Sequence, residues 1–407
     1  MKKIFVSAYA CEPGLGSEIG VGWHWVLEMS RYFELWVLTR ESNRRTIEPW
    51  IAEHPEYAKI HFVYFDLPHW ARRWKRGMRG VRIYYMLWQW LSDGVVKCTM
   101  QENGIDTYHL LTYGNAMWPA SRYGMKQRFV WGPVSAGVML PREFTKGFSW
   151  KSRLKEEVQR VMRWLLPLNV GFRRRCKHAD LILCKTDDTI RCVPEKWRGK
   201  CVQMTDVAVE RRDAERYLTP KRYDDEKINY VAAGTLVGWR TMDVLLESWK
   251  LCQQSTVDSQ LSIVGDGPER GRLERLVDEL GLRDSVRFVG QVDMETYYSY
   301  IAQADVVVNP CFREGAVTVS FDSMTMGKPL ICFDTGGYTH YFKPEYSRVI
   351  KGVKSRTEAV ERLAQAMAEL ADRELIAQMG AEAKWNSELY DWEHKGIDIK
   401  ELICFIR

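Results

Sequence analysis

The stretch REGAVTVSFDSMTMGKPL, residues 313–330, holds two carboxylates, Glu314 and Asp322, eight positions apart. An acid and a glycine precede a run that reads as a buried helix, and Gly327 followed by Pro329 is a stop. A helix rises ~1.5 Å per residue, so the two acids stand ~12 Å apart along it. That exceeds the ~5–9.5 Å between the paired carboxylates of a glycosidase. It suits holding two parts of one extended ligand. The N–H groups of Gly315, Ala316 and Val317 at the helix start favour an anion. A sugar, a diphosphate and a ribose in series have this shape. From this stretch alone, a buried helix with an incidental acid at each end remains an equal alternative.

Three other stretches could serve the same ligand. AAGTLVGWRTMD (232–243) is a strand, then Gly234 and Thr235, then Arg240 just before a helix. An arginine at a strand's carboxyl end can bind phosphate through two N–H groups; a solvated surface arginine is the competing reading. YACEPGLGSEIGVGW (9–23) is a glycine-rich loop entering a helix, and Gly14, Gly16 and Gly20 let backbone approach a phosphate. It raises a nicotinamide-dinucleotide alternative with Glu41 as the ribose acid, although the spacing G-x-G-x-x-x-G departs from the usual fingerprint. His109, at the end of the strand in DTYHLLTYGN, is expected to point at a ligand cleft, with a satisfied core histidine as the alternative.

These residues need elements to hold them. KIFVSAY (3–9), ELWVLT (34–39), IHFVYF (60–65), TYHLLT (107–112), RFVWG (128–132) and ADLILCK (179–185) read as apolar strands, with helical signals between them. INYVAAG (228–234), QLSIVGDG (260–267), SVRFVG (285–290), ADVVVN (304–309) and PLICFD (329–334) restart the pattern. Continuous apolar strands alternating with helices imply parallel sheets covered on both faces. The expectation is an α/β protein of two tandem Rossmann-like doubly wound domains facing across a cleft. The boundaries are an N-terminal domain over 1–206, a second domain over 207–380, and a helical segment over 381–407 packing back on the first. Ligands in open α/β sheets bind at the carboxyl ends of strands.

The chain's 407 residues suit two domains, and 46% hydrophobic with 28% charged residues is ordinary for a globular enzyme. Its ten cysteines form no Cys-x-x-Cys pair, so neither a zinc site nor a disulfide framework is indicated. No apolar run approaches the ~20 residues needed to span a bilayer. The N-terminus reads as a strand rather than a signal peptide, since Glu12 and Pro13 interrupt it. A cytoplasmic location follows as the expectation. Residues 69–85 carry six cations and no acid, interleaved with Trp70, Trp74, Tyr84 and Tyr85, and residues 144–178 add more cations. The first stretch can lie at an anionic membrane surface, or it is a solvated basic face. No nucleic-acid-binding signature accompanies it.

Together these motifs resemble glycosyltransferase family 4, the retaining nucleotide-sugar transferases of the GT-B fold, and most closely its bacterial polysaccharide-assembly members. The resemblance runs over nearly the whole chain: YACEPGLGSEIGVGW, HLLTYGN, FVWGPVSAG, AGTLVGWRTMDVLLES, IVGDGPE and, above all, REGAVTVSFDSMTMGKPL, which looks like the family's E-x7-E signature. It implies that Glu314 contacts the donor sugar, Asp322 the ribose, and Gly315, Ala316 and Val317 the sugar and phosphate. Arg240 stands where the family usually has a phosphate-binding lysine, and Gly16 matches the glycine facing the diphosphate. Ser17, Gly234 and Thr235 are implied to bind the donor, and Tyr113 and Asn115 the acceptor.

Asp322 is one methylene shorter than the family's glutamate. Thr235 stands where many members carry a second phosphate-binding arginine. Gly132 stands where some place a cleft histidine, which puts a catalytic role for His109 in question.

The implied activity is retaining transfer of a sugar from a nucleoside diphosphate sugar to a hydroxyl of a glycan or lipid-linked acceptor in cell-surface polysaccharide synthesis. Neither metal nor cofactor is expected, nor a nucleic-acid partner; peripheral association with the inner face of an anionic membrane is. The alternatives are a transferase-fold binding protein of weakened activity and an NAD(P)-dependent oxidoreductase.

Overall fold

Strands in this chain are short runs of Val, Ile, Leu and aromatic residues, and their alternation fills two cores from one sheet. In a computed structural model, residues 1–14, 17–68, 80–145, 150–209, 227–253, 258–313, 318–335 and 338–406 are described. The chain divides into two compact units: Met1–Gly137 with Val161–Asp206 and Trp392–Arg407, and Val138–Arg160 with Val207–Asp391.

The first unit is built on seven strands: β1 (Lys2–Ser7), β2 (Phe33–Arg40), β3 (Ile60–Phe65), β4 (Thr107–Leu110), β5 (Arg128–Val134), β6 (Leu181–Cys184) and β7 (Cys201–Gln203). They lie in the order β3-β2-β1-β4-β5-β6-β7, every pair parallel. Side chains alternate across a strand, so Phe5 joins Tyr108, Phe129 and Ile182 in one core while Ile4 and Val6 join Leu35, Val37 and Val130 in the other. The second unit carries β8 (Ile228–Ala233), β9 (Ser259–Val264), β10 (Val286–Gly290), β11 (Val306–Asn309), β12 (Leu330–Phe333) and β13 (Ser347–Ile350) in the parallel order β10-β9-β8-β11-β12-β13. In each sheet the order reverses once, between β1 and β4 and between β8 and β11. Such switch points are where open α/β sheets leave a crevice for a ligand.

Two differences from the sequence reading concern where segments pack. Residues 138–160 come from the first half of the chain yet belong to the second unit. Leu140 and Phe144 are buried in the second core, the Phe144 ring stacks on Phe312 with centroids 4.0 Å apart, and Arg313 makes two 2.8 Å bonds to the Glu156 carboxylate. No sequence signal marks a crossing that depends on partners more than a hundred residues away.

The C-terminal segment also divides. Helix Arg373–Ser387 stays with the second unit, and only helix Trp392–Phe405 joins the first. There Ile399 and Ile403 are buried in the first unit's core, and a Cβ at Gly396 would lie 2.4 Å from Glu28. Lys395 Nζ donates 2.6 Å to the Thr205 carbonyl. Strand β13, SRVI, has charge in its middle and was not legible as a strand.

Candidate functional site

The switch point of the second sheet is crowded with backbone. Gly234, just past β8, has φ +142°, a region that favours glycine, and a Cβ there would lie 2.8 Å from the Arg240 guanidinium. A Cβ at Gly265, just past β9, would lie 2.2 Å from the Gly234 carbonyl oxygen. These glycines let two loops close on each other and leave the guanidinium lying over bare main chain.

Arg240 ends a short 3-10 turn, Gly238–Arg240, and Thr241 follows with φ +50°. A left-handed threonine is uncommon and costs free energy, so something must hold it. Its Oγ1 donates 2.5 Å to the Pro310 carbonyl just past β11, tying the β8 and β11 loops together. Helix Met242–Cys252 then starts with Asp243 in its first turn. Arg240 and Arg313 both stand over Trp239, 5.2 and 5.5 Å from its ring centroid. Arg313 is already engaged by Glu156; the Trp239 ring backs Arg240.

Asp322 lies on helix Thr318–Thr325 and is buried. The Tyr297 hydroxyl, from helix Met294–Gln303, donates 2.6 Å to its Oδ2. Burial pushes the Asp322 carboxyl up to about 7, against the opposing effect of the Tyr297 hydrogen bond. Burial and the Asp322 carboxylate raise the Tyr297 phenol well above its ordinary value, while the Arg240 guanidinium pulls it the other way. Asp322 and Arg240 therefore both act on Tyr297. A cation and an acid that ionises only near neutrality, joined by a phenol, can receive an anion on one side and hydroxyl donors on the other.

The sequence placed Arg240, Gly234 and Asp322 in one site, and they converge here. Thr235 is exposed and its carbonyl accepts from Val237 N at 2.9 Å. Tyr297, Thr241 and Trp239 went unread. An aromatic inside an amphipathic helix carries no sign of the acid it will meet 25 positions later, and a left-handed threonine has no sequence mark. Glu314, Gly315, Ala316 and Val317 lie outside the described residues, as does Gly16; Ser17 opens helix Ser17–Ser30, but its side chain is not described.

His109 requires a correction. It was expected to face a ligand; instead it is fully buried, its Nε2 2.7 Å from the Gly132 carbonyl and its ring edge-on to Trp25 at 6.0 Å. Nε2 must carry the proton to donate there, which leaves Nδ1 as an acceptor with no hydrogen-bond partner. Burial pulls its imidazole down to about 4, against the Gly132 bond, so it is neutral at physiological pH. It is a core histidine, because alternation along β4 turns position 109 away from Tyr108 and Leu110 and toward the core that holds Trp25.

Tyr113 follows β4 with φ +57° and stacks on Tyr85 at 4.7 Å. Asn115 is exposed, and its Oδ1 accepts 2.9 Å from Met117 N, closing a turn. The membrane reading of 69–85 is corrected in part. Tyr84 and Tyr85 are core residues, the Tyr84 hydroxyl bonded to Asp66 and that of Tyr85 to the Thr112 carbonyl at 3.2 Å. Trp70 and Trp74 lie outside the described residues. Among the described residues, no helix is long and apolar enough to cross a membrane, and no group of three or more His, Cys, Asp or Glu could hold a metal ion.

Two parallel sheets in one chain, the second with a cation and a buried acid grouped at its switch point, have the two-domain layout of the GT-B fold. Residues 214–384 match the family described as Glycosyl transferases group 1, and the chain is a GT-B protein whose second unit carries this family's domain. It is similar to the alpha-D-kanosaminyltransferase of Streptomyces kanamyceticus, 29% identical over 44% of this chain and 46% of that protein. It is also similar to the GDP-mannose-dependent alpha-(1-6)-phosphatidylinositol monomannoside mannosyltransferase of Mycolicibacterium smegmatis, 27% identical over 42% and 47%. The chain spans about half the length of these curated relatives, or less. Among solved structures, Anabaena Alr3699/HepE in complex with UDP and glucose superposes with a TM-score of 0.56 at 13% identity, over 99% of this chain and 100% of that one. This likeness establishes the shared fold.

Proposed function

We propose that the protein moves a sugar from a nucleoside diphosphate sugar to an acceptor hydroxyl, with retention at the anomeric carbon as in glycosyltransferase family 4. The observation that carries this reading is the grouping of Arg240, Tyr297 and Asp322 at the strand ends of the unit that matches the glycosyl transferase family. The family match favours it over the oxidoreductase alternative.

Bond breaking builds charge on the leaving diphosphate. Arg240, held over Gly234 by the glycine's missing side chain, would bind that charge before it develops and so lower the barrier. Asp322, once ionised, would accept hydrogen bonds from the ribose hydroxyls. Glu314 would orient the sugar, and the N–H groups of Gly315–Val317 would contact its phosphate. The leaving phosphate would take the proton from the incoming hydroxyl, so no protein base is required. No step is assigned to His109.

The names of the relatives support the donor and acceptor classes. One uses GDP-mannose and acts on a phosphatidylinositol glycolipid, and a structural neighbour holds UDP with glucose. Transfer onto a glycan or lipid-linked acceptor for cell-surface polysaccharide is the proposed context, with the protein at the inner face of the membrane and no metal required. Thermal-shift measurements with UDP-, GDP- and dTDP-sugars, followed by transfer assays, test it. Stabilisation by one nucleotide sugar, with turnover lost in Arg240→Ala and Glu314→Ala, is expected. Stabilisation by NAD(P) instead, or wild-type turnover in both variants, would overturn it.

A further inference from the structure

The first unit shows an apolar tip between residues 161–164, the end of helix Trp150–Trp164, and helix Val170–His178. Trp164 is 76% exposed, Leu168 66% and Val170 80%, and Val161, Met162 and Leu165 beside them are exposed as well. This is a built surface rather than a frayed loop. Leu166 and Phe172 are buried beneath it. Asn169 Oδ1 accepts 2.8 Å from Phe172 N and starts the second helix, and Arg173 donates 3.0 Å to the Pro167 carbonyl. Large apolar side chains are thus pushed outward by a scaffold that holds their backbone in place.

Along the chain, the charge through the tip has one sign. Between Glu157 and Asp180 there are six arginines and lysines and no acid. Arg175 is buried and donates 2.7 Å to the Ala116 carbonyl, so it belongs to the core. Arg174 and Lys177 are exposed, and Arg163 and Arg173 half-exposed. Tryptophan and aliphatic side chains ringed by cations match the layers of an anionic bilayer, with apolar groups below the headgroups and positive charge at their level. A protein partner would need a complementary acidic rim and an apolar pocket; the lipid surface offers both without a specific shape.

We propose that residues 161–177 form the docking surface for an anionic phospholipid membrane, with Trp164, Leu168 and Val170 entering the headgroup region and Arg174 and Lys177 binding lipid phosphates. This rests on the part of the functional reading that puts the protein at a membrane, and adds a contact to the one that sequence placed over 69–85. It leaves the donor chemistry untouched.

Cosedimentation of the full chain with phosphatidylglycerol/phosphatidylcholine vesicles tests it, with no sugar donor present, so failure here says nothing against sugar transfer. Binding to anionic vesicles and not to pure phosphatidylcholine is expected, weakening as salt rises. Trp164→Ser/Leu168→Ser/Val170→Ser should lose at least ~10-fold in vesicle affinity. Arg174→Glu/Lys177→Glu should lose ~10-fold or more and flatten the salt dependence. All side chains changed are exposed, and unaltered melting temperatures will show that both variants fold. No vesicle binding at low salt, or wild-type binding by both variants, overturns the proposal. So does a dimer, seen by sedimentation velocity, that the apolar triple variant dissolves, for the face would then belong to a second copy.

Discussion

The Tyr297 hydroxyl donates a 2.6 Å hydrogen bond to Oδ2 of Asp322, a carboxyl that burial holds at about 7. The bond favours the ionised acid and burial disfavours it, so this pair sets the pH at which the acid can receive hydroxyl donors.

Donor binding should therefore weaken as pH falls through about 7. In Tyr297→Phe the opposing hydrogen bond is gone and the carboxyl rises further, so the midpoint should move to higher pH. Calorimetric titration of the stabilising nucleotide sugar between pH 5.5 and 8.5 measures it (range ~3 units about the expected midpoint). An unmoved midpoint in the variant would show that Tyr297 does not control Asp322.

The same acid should tax stability. Its folded value lies above the unfolded one, so the folded state binds the proton more tightly, and stability falls as pH rises from about 4 to about 7. Asp322→Asn removes that loss. Its margin over the wild type should grow by on the order of 2–3 kcal/mol between pH 5 and pH 8, while donor affinity drops. Urea denaturation at the two pH values gives the comparison.

Gly234→Ala should damage the site through Arg240. The new Cβ meets the guanidinium at 2.8 Å and takes a left-handed φ of +142°. Stability should fall by ~1–3 kcal/mol, and nucleotide affinity should fall toward that of Arg240→Ala, ~10–100-fold below wild type. Combining the two changes should cost hardly more affinity than Arg240→Ala alone; full additivity in a double-mutant cycle would refute the coupling.

His109→Gln keeps an N–H for the Gly132 carbonyl and removes the titration. Buried and neutral, His109 holds stability that is present above about 6.5 and lost as pH falls toward about 4. The wild type should lose on the order of 2–3 kcal/mol more than the variant over that range, with kcat within ~3-fold of wild type since the ring is fully buried. Loss of turnover in a stably folded His109→Gln would restore it as a catalytic candidate.

Lys395 has the same sign at higher pH. Burial, offset by Asp206, pulls its ammonium down to about 7, and its Nζ is bonded to the Thr205 carbonyl. A lysine lowered in the fold contributes stability that is full above its unfolded value near ~10.4 and is lost as pH falls toward about 7. Thermal melts from pH 7 to 10 should therefore rise more for the wild type than for Lys395→Met. Parallel curves would mean that the ammonium is solvated.

By itself the sequence determined the two parallel α/β units, because short β-branched and aromatic runs alternating with amphipathic helices have few other ways to bury themselves. A helix just after Arg240 was read, and helix Met242–Cys252 stands there; the strand-end positions of Gly234 and Arg240 followed from the same pattern. Only the tertiary structure decided which side chains meet. It paired Tyr297 with Asp322, put His109 and Tyr85 in the core, sent residues 138–160 to the second unit, and turned Trp164, Leu168 and Val170 outward. Periodicity along a chain reports which face is apolar, whereas burial, pKa and exposure depend on what a distant segment places against that face.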